Sequence, residues 1–161
     1  MMESRHLGPI ALDGGLGGGA VEAVVGALGA QIDVRVEIDY PARFDESVVR
    51  DIDMVLDRLD FVDGLARQTI ARGIRRDDTS AAQLFTAWRK ATGDEDGLED
   101  DFLEALRPAR ITITPDGGRV NRDRVIMTYA LPDVDVEGRV SVRFVEPTGP
   151  ELVSPTRVRT H

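Results

Sequence analysis

The chain is expected to adopt an α+β fold, in which about four helices from the middle of the sequence cover one face of a mainly antiparallel sheet. Three observations point there. Ile32, Val34, Val36, Ile38 and Tyr40 alternate with Asp33, Arg35, Glu37 and Asp39, which gives one apolar and one charged strand face. Strands covered on both sides in a parallel sheet would read as continuous apolar runs instead. After Pro41 the spacing becomes helical, and after Pro108 it returns to alternation, so the order is strands, helices, strands. The 161 residues suit one ordinary domain. That domain spans residues 1–161, with 147–161 as an edge strand or loose tail.

Each element has its own signal. Leu7–Leu12 reads as a short strand whose Pro9 suits an edge or a strand start. Asp13–Gly19 is a glycine-rich link, and Ala20–Gly26 with Gln31–Tyr40 forms a hairpin around Ala-Leu-Gly-Ala. Asp45 is the N-cap of a helix carrying Val48, Val49, Ile52, Val55, Leu56 and Leu59. Val62, Leu65, Ala66, Ile70 and Ile74 mark a second helix. Asp78-Thr79-Ser80 caps a third, which bears Leu84, Phe85 and Trp88 and stops at Gly93. A short fourth runs through Leu98, Phe102, Leu103 and Leu106. Ile111 and Ile113 lead to the turn Pro115-Asp116-Gly117-Gly118. Strands with Val125, Met127, Tyr129 and Leu131, then with Val140, Val142 and Phe144, complete a meander.

Composition removes whole classes of chemistry. The chain has no cysteine, which excludes disulfides, thiolate metal sites and a cysteine nucleophile. Its net charge of −9 disfavours nucleic-acid phosphates. No apolar run reaches membrane-spanning length and no secretory signal is visible, so a cytoplasmic protein without membrane partners is expected. Charge is uneven: residues 1–106 hold 11 basic and 22 acidic side chains, whereas 107–161 hold 9 and 7. Such a field steers a basic partner toward one face.

Few motifs carry chemistry. Gly15-x-Gly17-x-x-Ala20 follows a short strand and precedes an apolar stretch, as a dinucleotide-binding loop would. Gly26 and Gly29 interrupt the helix which that motif needs, and a glycine link before a hairpin explains the same letters. Asp94, Glu95, Asp96, Glu99, Asp100 and Asp101 form an acidic run. Gly97 stands too early, and Ala105 falls where a calcium loop of the EF-hand kind needs glutamate, so that loop is excluded. The run reads as acids at a helix N-terminus or as a docking patch for a basic protein.

His6 and His161 are the only histidines and lack metal-ligand spacing, so no metal or cofactor is expected. The pairs Asp53/Asp57 and Glu37/Asp39 fall opposite the apolar stripes and are expected in water. Phe85, Trp88, Tyr40 and Tyr129 read as core, and Arg139 and Arg143, joined by Arg110, as an outward anion site or plain surface.

The order Leu7-Gly8-Pro9-Ile10-Ala11-Leu12, a hairpin ending Val34-Arg35-Val36-Glu37-Ile38-Asp39, an acidic helical stretch and Arg110-Ile111-Thr112-Ile113-Thr114-Pro115-Asp116-Gly117 resembles an uncharacterised family of small acidic bacterial cytoplasmic proteins. Its members resemble immunity proteins that neutralise polymorphic toxins. The resemblance implies an α+β domain with no known catalytic residues. The expected role is therefore a non-enzymatic binding protein that masks a toxin or another basic protein, with a small-molecule or nucleotide binder using the Gly15–Ala20 loop as the alternative. A homodimer through a sheet edge, for which the exposed final strand is available, or through an apolar helix face is a further expectation.

Overall fold

Period-two alternation and three-four spacing become strands and helices in the order expected. The computed structural model describes residues 2–10, 19–38, 45–76, 80–115, 123–145 and 149–152. Strands β1 (Met2–Ser4) and β2 (Gly8–Ile10) pair as a small antiparallel hairpin. A second hairpin joins β3 (Gly19–Ala27) to β4 (Ala30–Ile38). Helices α1 (Glu46–Asp57), α2 (Leu59–Ile74), α3 (Ser80–Thr92) and α4 (Glu99–Ala105) follow. The chain then closes with β5 (Arg107–Ile113), β6 (Asp123–Ala130), β7 (Arg139–Val145) and β8 (Gly149–Leu152).

The main sheet has six strands in sequence order, β3-β4-β5-β6-β7-β8, and every neighbouring pair except β4–β5 is antiparallel. The fold is α+β, as the alternation implied. One finer expectation is revised: the N-terminal strand belongs to its own hairpin, not to the main sheet. Residues 8–10 are too few to carry a usable alternation, so its partner was not readable locally. Of residues 147–161 only Gly149–Leu152 are described, as the edge strand β8; the others lie outside the described residues.

The β3–β4 turn contains only Leu28 and Gly29, with φ of 53° and 72°. Two positive φ values define the primed turn whose twist matches the flanking strands. Gly29 takes it freely, whereas Leu28 bears a local cost of about 1 kcal/mol. The Leu28 side chain is half-buried and packs against the core. The Asp45 side chain caps α1 by accepting from the backbone N–H groups of Ser47 and Val48. The expected third-helix caps Asp78 and Thr79 lie outside the described residues, as do Tyr40 and the turn residues 116–118.

One face of the sheet is roofed. Val34 and Val36 of β4, Ile111 of β5, Met127 of β6 and Val142 of β7 form one buried cluster with Ile52, Ile70, Leu84 and Phe102 of the helices. Each such side chain removed from water contributes about 1.5–3 kcal/mol. The opposite face stays open, with Asp33, Arg110 and Arg139 exposed on it. Pro108 sits inside β5 beside a register shift between Pro108 and Arg110, where a missing N–H is tolerated.

A polar bond ties roof to platform. Tyr129, fully buried on β6, donates its hydroxyl to Asp63 Oδ1 at 2.5 Å. Burial, reinforced by the Asp63 carboxylate, pushes the Tyr129 hydroxyl well above its ordinary pKa, so it stays a donor. Arg67 closes the group. Its Nε lies 3.1 Å from both Asp63 oxygens, its guanidinium stands 5.2 Å from the Tyr129 ring centroid, and it donates to the backbone carbonyls of Leu103 and Leu106. A Tyr129→Phe substitution removes a hydrogen bond to a charged group and is expected to cost about 1.5–3 kcal/mol in urea unfolding, with the far-UV spectrum unchanged.

Candidate functional site

The six acids of the 94–101 run are held by the aromatic end of α3. Gly93 ends that helix at φ 73°. Its N–H bonds Lys90 O at 3.3 Å and the Asp94 N–H bonds Arg89 O at 3.2 Å, the paired bonds of a Schellman cap. Asp94 then shapes the loop: its carbonyl accepts from Gly97 N and its Oδ1 from Asp96 N, each at 3.2 Å.

Gly97 is the pivot. It is buried, and a Cβ there would come within 2.8 Å of the Trp88 ring. Arg89 grips the same residue, donating Nε to Gly97 O at 2.8 Å while its guanidinium lies 4.0 Å over Phe85. Phe85, Trp88 and Phe102 form the cluster beneath, with ring centroids 5.1–6.1 Å apart.

Above this base Asp94, Glu95, Asp96, Asp100 and Asp101 are exposed and Glu99 is half-buried. Leu98 stands among them, 66% exposed, at the N-cap of α4 with no side-chain cap bond. None of the six carboxylates makes an ion pair among the described residues. Nor, among those residues, do any three His, Asp or Glu side chains group closely enough for a metal ion. The arrangement is an uncompensated acidic surface with one apolar side chain at its centre.

A second polar cluster departs from the sequence expectation at Asp53. Asp53 is not in water; it is 5% exposed and lies under the β1–β2 hairpin. Its carboxylate accepts from Ser4 Oγ at 2.6 Å and from Arg5 N at 3.2 Å. A usable signal existed, since Asp53 stands four residues after Val49 and three before Leu56, on the apolar stripe itself. Asp57 is exposed as expected, and binds Arg5 Nη2 at 2.6 Å and His6 Nε2 at 2.7 Å.

Serine, histidine and aspartate thus meet, but not as a nucleophile and its base. The Ser4 hydroxyl donates to Asp53 and accepts from the backbone N–H groups of His6 and Leu7, while the imidazole is bonded to Asp57. The wiring holds the hairpin turn.

The glycine motif finds no helix. Gly15 and Gly17 lie outside the described residues, and Ala20 with the stretch after it forms β3 and its turn. A dinucleotide loop needs a helix N-terminus there, so that reading of the segment is withdrawn. On the open face Glu37 is half-buried and bonds Arg35 at 2.9 Å; Asp39 lies outside the described residues. Arg110 pairs in register with Thr128, whose hydroxyl meets that of Ser141 at 2.9 Å between Arg139 and Arg143. A shallow hollow of about 220 Å³ beside it is lined by Glu22, Val24, Asp33, Arg35 and Arg110.

No protein-family model, curated protein or solved structure matches the chain.

Two outcomes follow from this geometry. Gly97→Ala drives a methyl into the Trp88 ring and is expected to cost about 1–3 kcal/mol, with altered tryptophan fluorescence. The His6 hydrogen bond and then the Arg5 hydrogen bond hold the Asp57 carboxyl below its ordinary value of 3.8. A lowered pKa stabilises the fold above the unfolded value and is lost as pH falls through the folded one. The difference in urea midpoint between wild type and Asp57→Asn is therefore expected to shrink as pH falls below about 4.

Proposed function

We propose that the protein is a non-enzymatic binding protein of the immunity-inhibitor type, whose 94–101 loop receives a basic segment of a toxin or other protein partner. The observation that carries this reading is the state of the carboxylates. Asp45, Asp53, Asp57, Asp63, Glu22 and Glu37 are each committed to a hydrogen bond or ion pair within the fold. Among the described residues no cation pairs with the six acids of the 94–101 run, yet the Trp88–Gly97–Arg89 contacts hold their backbone in place.

A preordered acidic rim around an apolar side chain suits a partner with arginine or lysine around an apolar socket. Preordering lowers the entropic cost of binding, the rim accelerates encounter, and the buried centre sets affinity. The imbalance over residues 1–106 extends the same field over the helical layer. The resemblance to immunity proteins agrees with this arrangement and suggests a toxin as the masked protein.

The test is affinity capture from native lysate with two baits, the wild type and a variant in which the six acids are amidated and Leu98→Asp is added. A basic protein retained by the wild type, released by salt and missed by the variant supports the reading. Equal capture by both baits, or none, refutes it. With the partner purified, Leu98→Asp alone is expected to raise Kd about tenfold or more, mainly through dissociation. Amidation is expected to slow association at low salt and to have little effect at high salt.

A further inference from the structure

The two edges of the main sheet differ in how they are protected. β8 is four residues long and contains Pro150. β3 is nine residues long, has neither proline nor a basic residue, and carries a single charge, Glu22. That charge is already matched within the chain, because Glu22 Oε1 lies 2.6 Å from Arg35 Nη1. Val24 stands 62% exposed on the same strand. Among the described residues, no strand pairs with the outer side of β3. Long, weakly charged edges are ordinarily blunted in natural proteins.

Turn geometry shows which backbone groups face outward. The two-residue Leu28–Gly29 turn makes Ala27 and Ala30 a hydrogen-bonded pair, and such pairs recur at every second residue along an antiparallel ladder. Val25, Ala23, Val21 and Gly19 therefore bond to β4. The N–H and C=O groups of Ala20, Glu22, Val24 and Gly26 point away from it.

We infer that β3 is a homodimer interface, at which two copies pair antiparallel about a two-fold axis through Ala23 and join their main sheets into one. The strand is nearly palindromic about that residue. Gly19-Ala20-Val21-Glu22 mirrors Ala27-Gly26-Val25-Val24 in side-chain size. With Ala23 on the axis, Ala20 meets Gly26 of the second copy and Glu22 meets Val24, and all four outward residues pair, forming about eight main-chain hydrogen bonds. Val21 faces Val25 of the second copy, and their half-buried side chains extend the roofed layer across the join. The two Glu22 carboxylates are not opposite each other, and each keeps its own Arg35. A chain of net charge −9 repels its copies over most of its surface, and this edge is a neutral place where they can meet.

Light scattering after size exclusion, run from the micromolar to the millimolar range, reads the proposal. The wild type is expected to double in mass as concentration rises. Val24→Pro removes an outward N–H without cutting a β3–β4 bond and is expected to stay monomeric, with an unchanged circular dichroism spectrum. Val24→Lys keeps the N–H and places an ammonium opposite Glu22 of the second copy, so the dimer is expected to persist.

Because the chain has no cysteine, single-cysteine variants report the register. Ala23→Cys sits at a close non-hydrogen-bonded pair and is expected to form a disulfide dimer with oxidised glutathione. Val25→Cys, opposite Val21, is not. A monomer mass at every concentration, a dimer that Val24→Pro leaves intact, or equal cross-linking of the two cysteine variants overturns the inference. An edge reserved for another protein's strand would give the first of these results.

Discussion

The parallel pairing of β4 with β5 places Val34 beside Ile111 and Val36 beside Ile113, and the whole architecture turns on it. Two parallel neighbours cannot be joined by a tight turn, so the chain must leave the sheet and return by a crossover of a dozen or more residues. Here that crossover contains all four helices. One topological requirement therefore produces both layers: an N-terminal hairpin and a C-terminal meander meet as a single sheet, and the inserted segment becomes its roof. Apolar faces of both kinds are covered in the same step, while the other sheet face is left polar.

A roof made from one insertion must be fixed in place, and aliphatic packing alone is not directional. The Tyr129–Asp63–Arg67 group supplies the direction. It joins the central strand β6 to α2, and through the Leu103 and Leu106 carbonyls it joins α2 to the end of α4. The acidic run leads into the first turn of α4, so its position is set from two sides. The Arg67 contacts hold one end of the helix, and the Trp88–Gly97 contact holds the other.

The surface divides in a way that follows from this build. Apart from Asp53 and Asp63, carboxylates of the helical layer face water because the inner stripe is apolar, and among the described residues those of the 94–101 run pair with no cation. The sheet edge at β3 is neutral and backbone-rich instead. In the proposed binding role charge governs encounter at the first surface, and in the inferred pairing of two copies main-chain hydrogen bonding and small-residue fit govern the second. The two surfaces lie on different elements, so occupation of one does not require the other.

Much of the fold was legible before any coordinates. Alternation in β4, β6 and β7, the Asp45 cap, the Gly93 stop and the Ala-Leu-Gly-Ala turn are local patterns, and local patterns report which face of an element is apolar. They do not report what covers that face. Asp53 lay on the stripe of α1 and was still expected in water, because its partners Ser4 and Arg5 are nearly fifty residues away in sequence. Asp63 and Tyr129 likewise meet only across layers.

The acidic run itself was plain in the sequence; its fixed shape was not, since that depends on Gly97 lying against Trp88 nine residues earlier and on the aromatic cluster below. By itself the sequence determined the elements, their order and the sign of the surface, all of which follow from short-range periodicity and composition. The tertiary structure alone decided the parallel join of β4 to β5, the separate N-terminal hairpin and the burial of Asp53. These are set by which apolar faces and hydrogen-bonding groups find each other at long range.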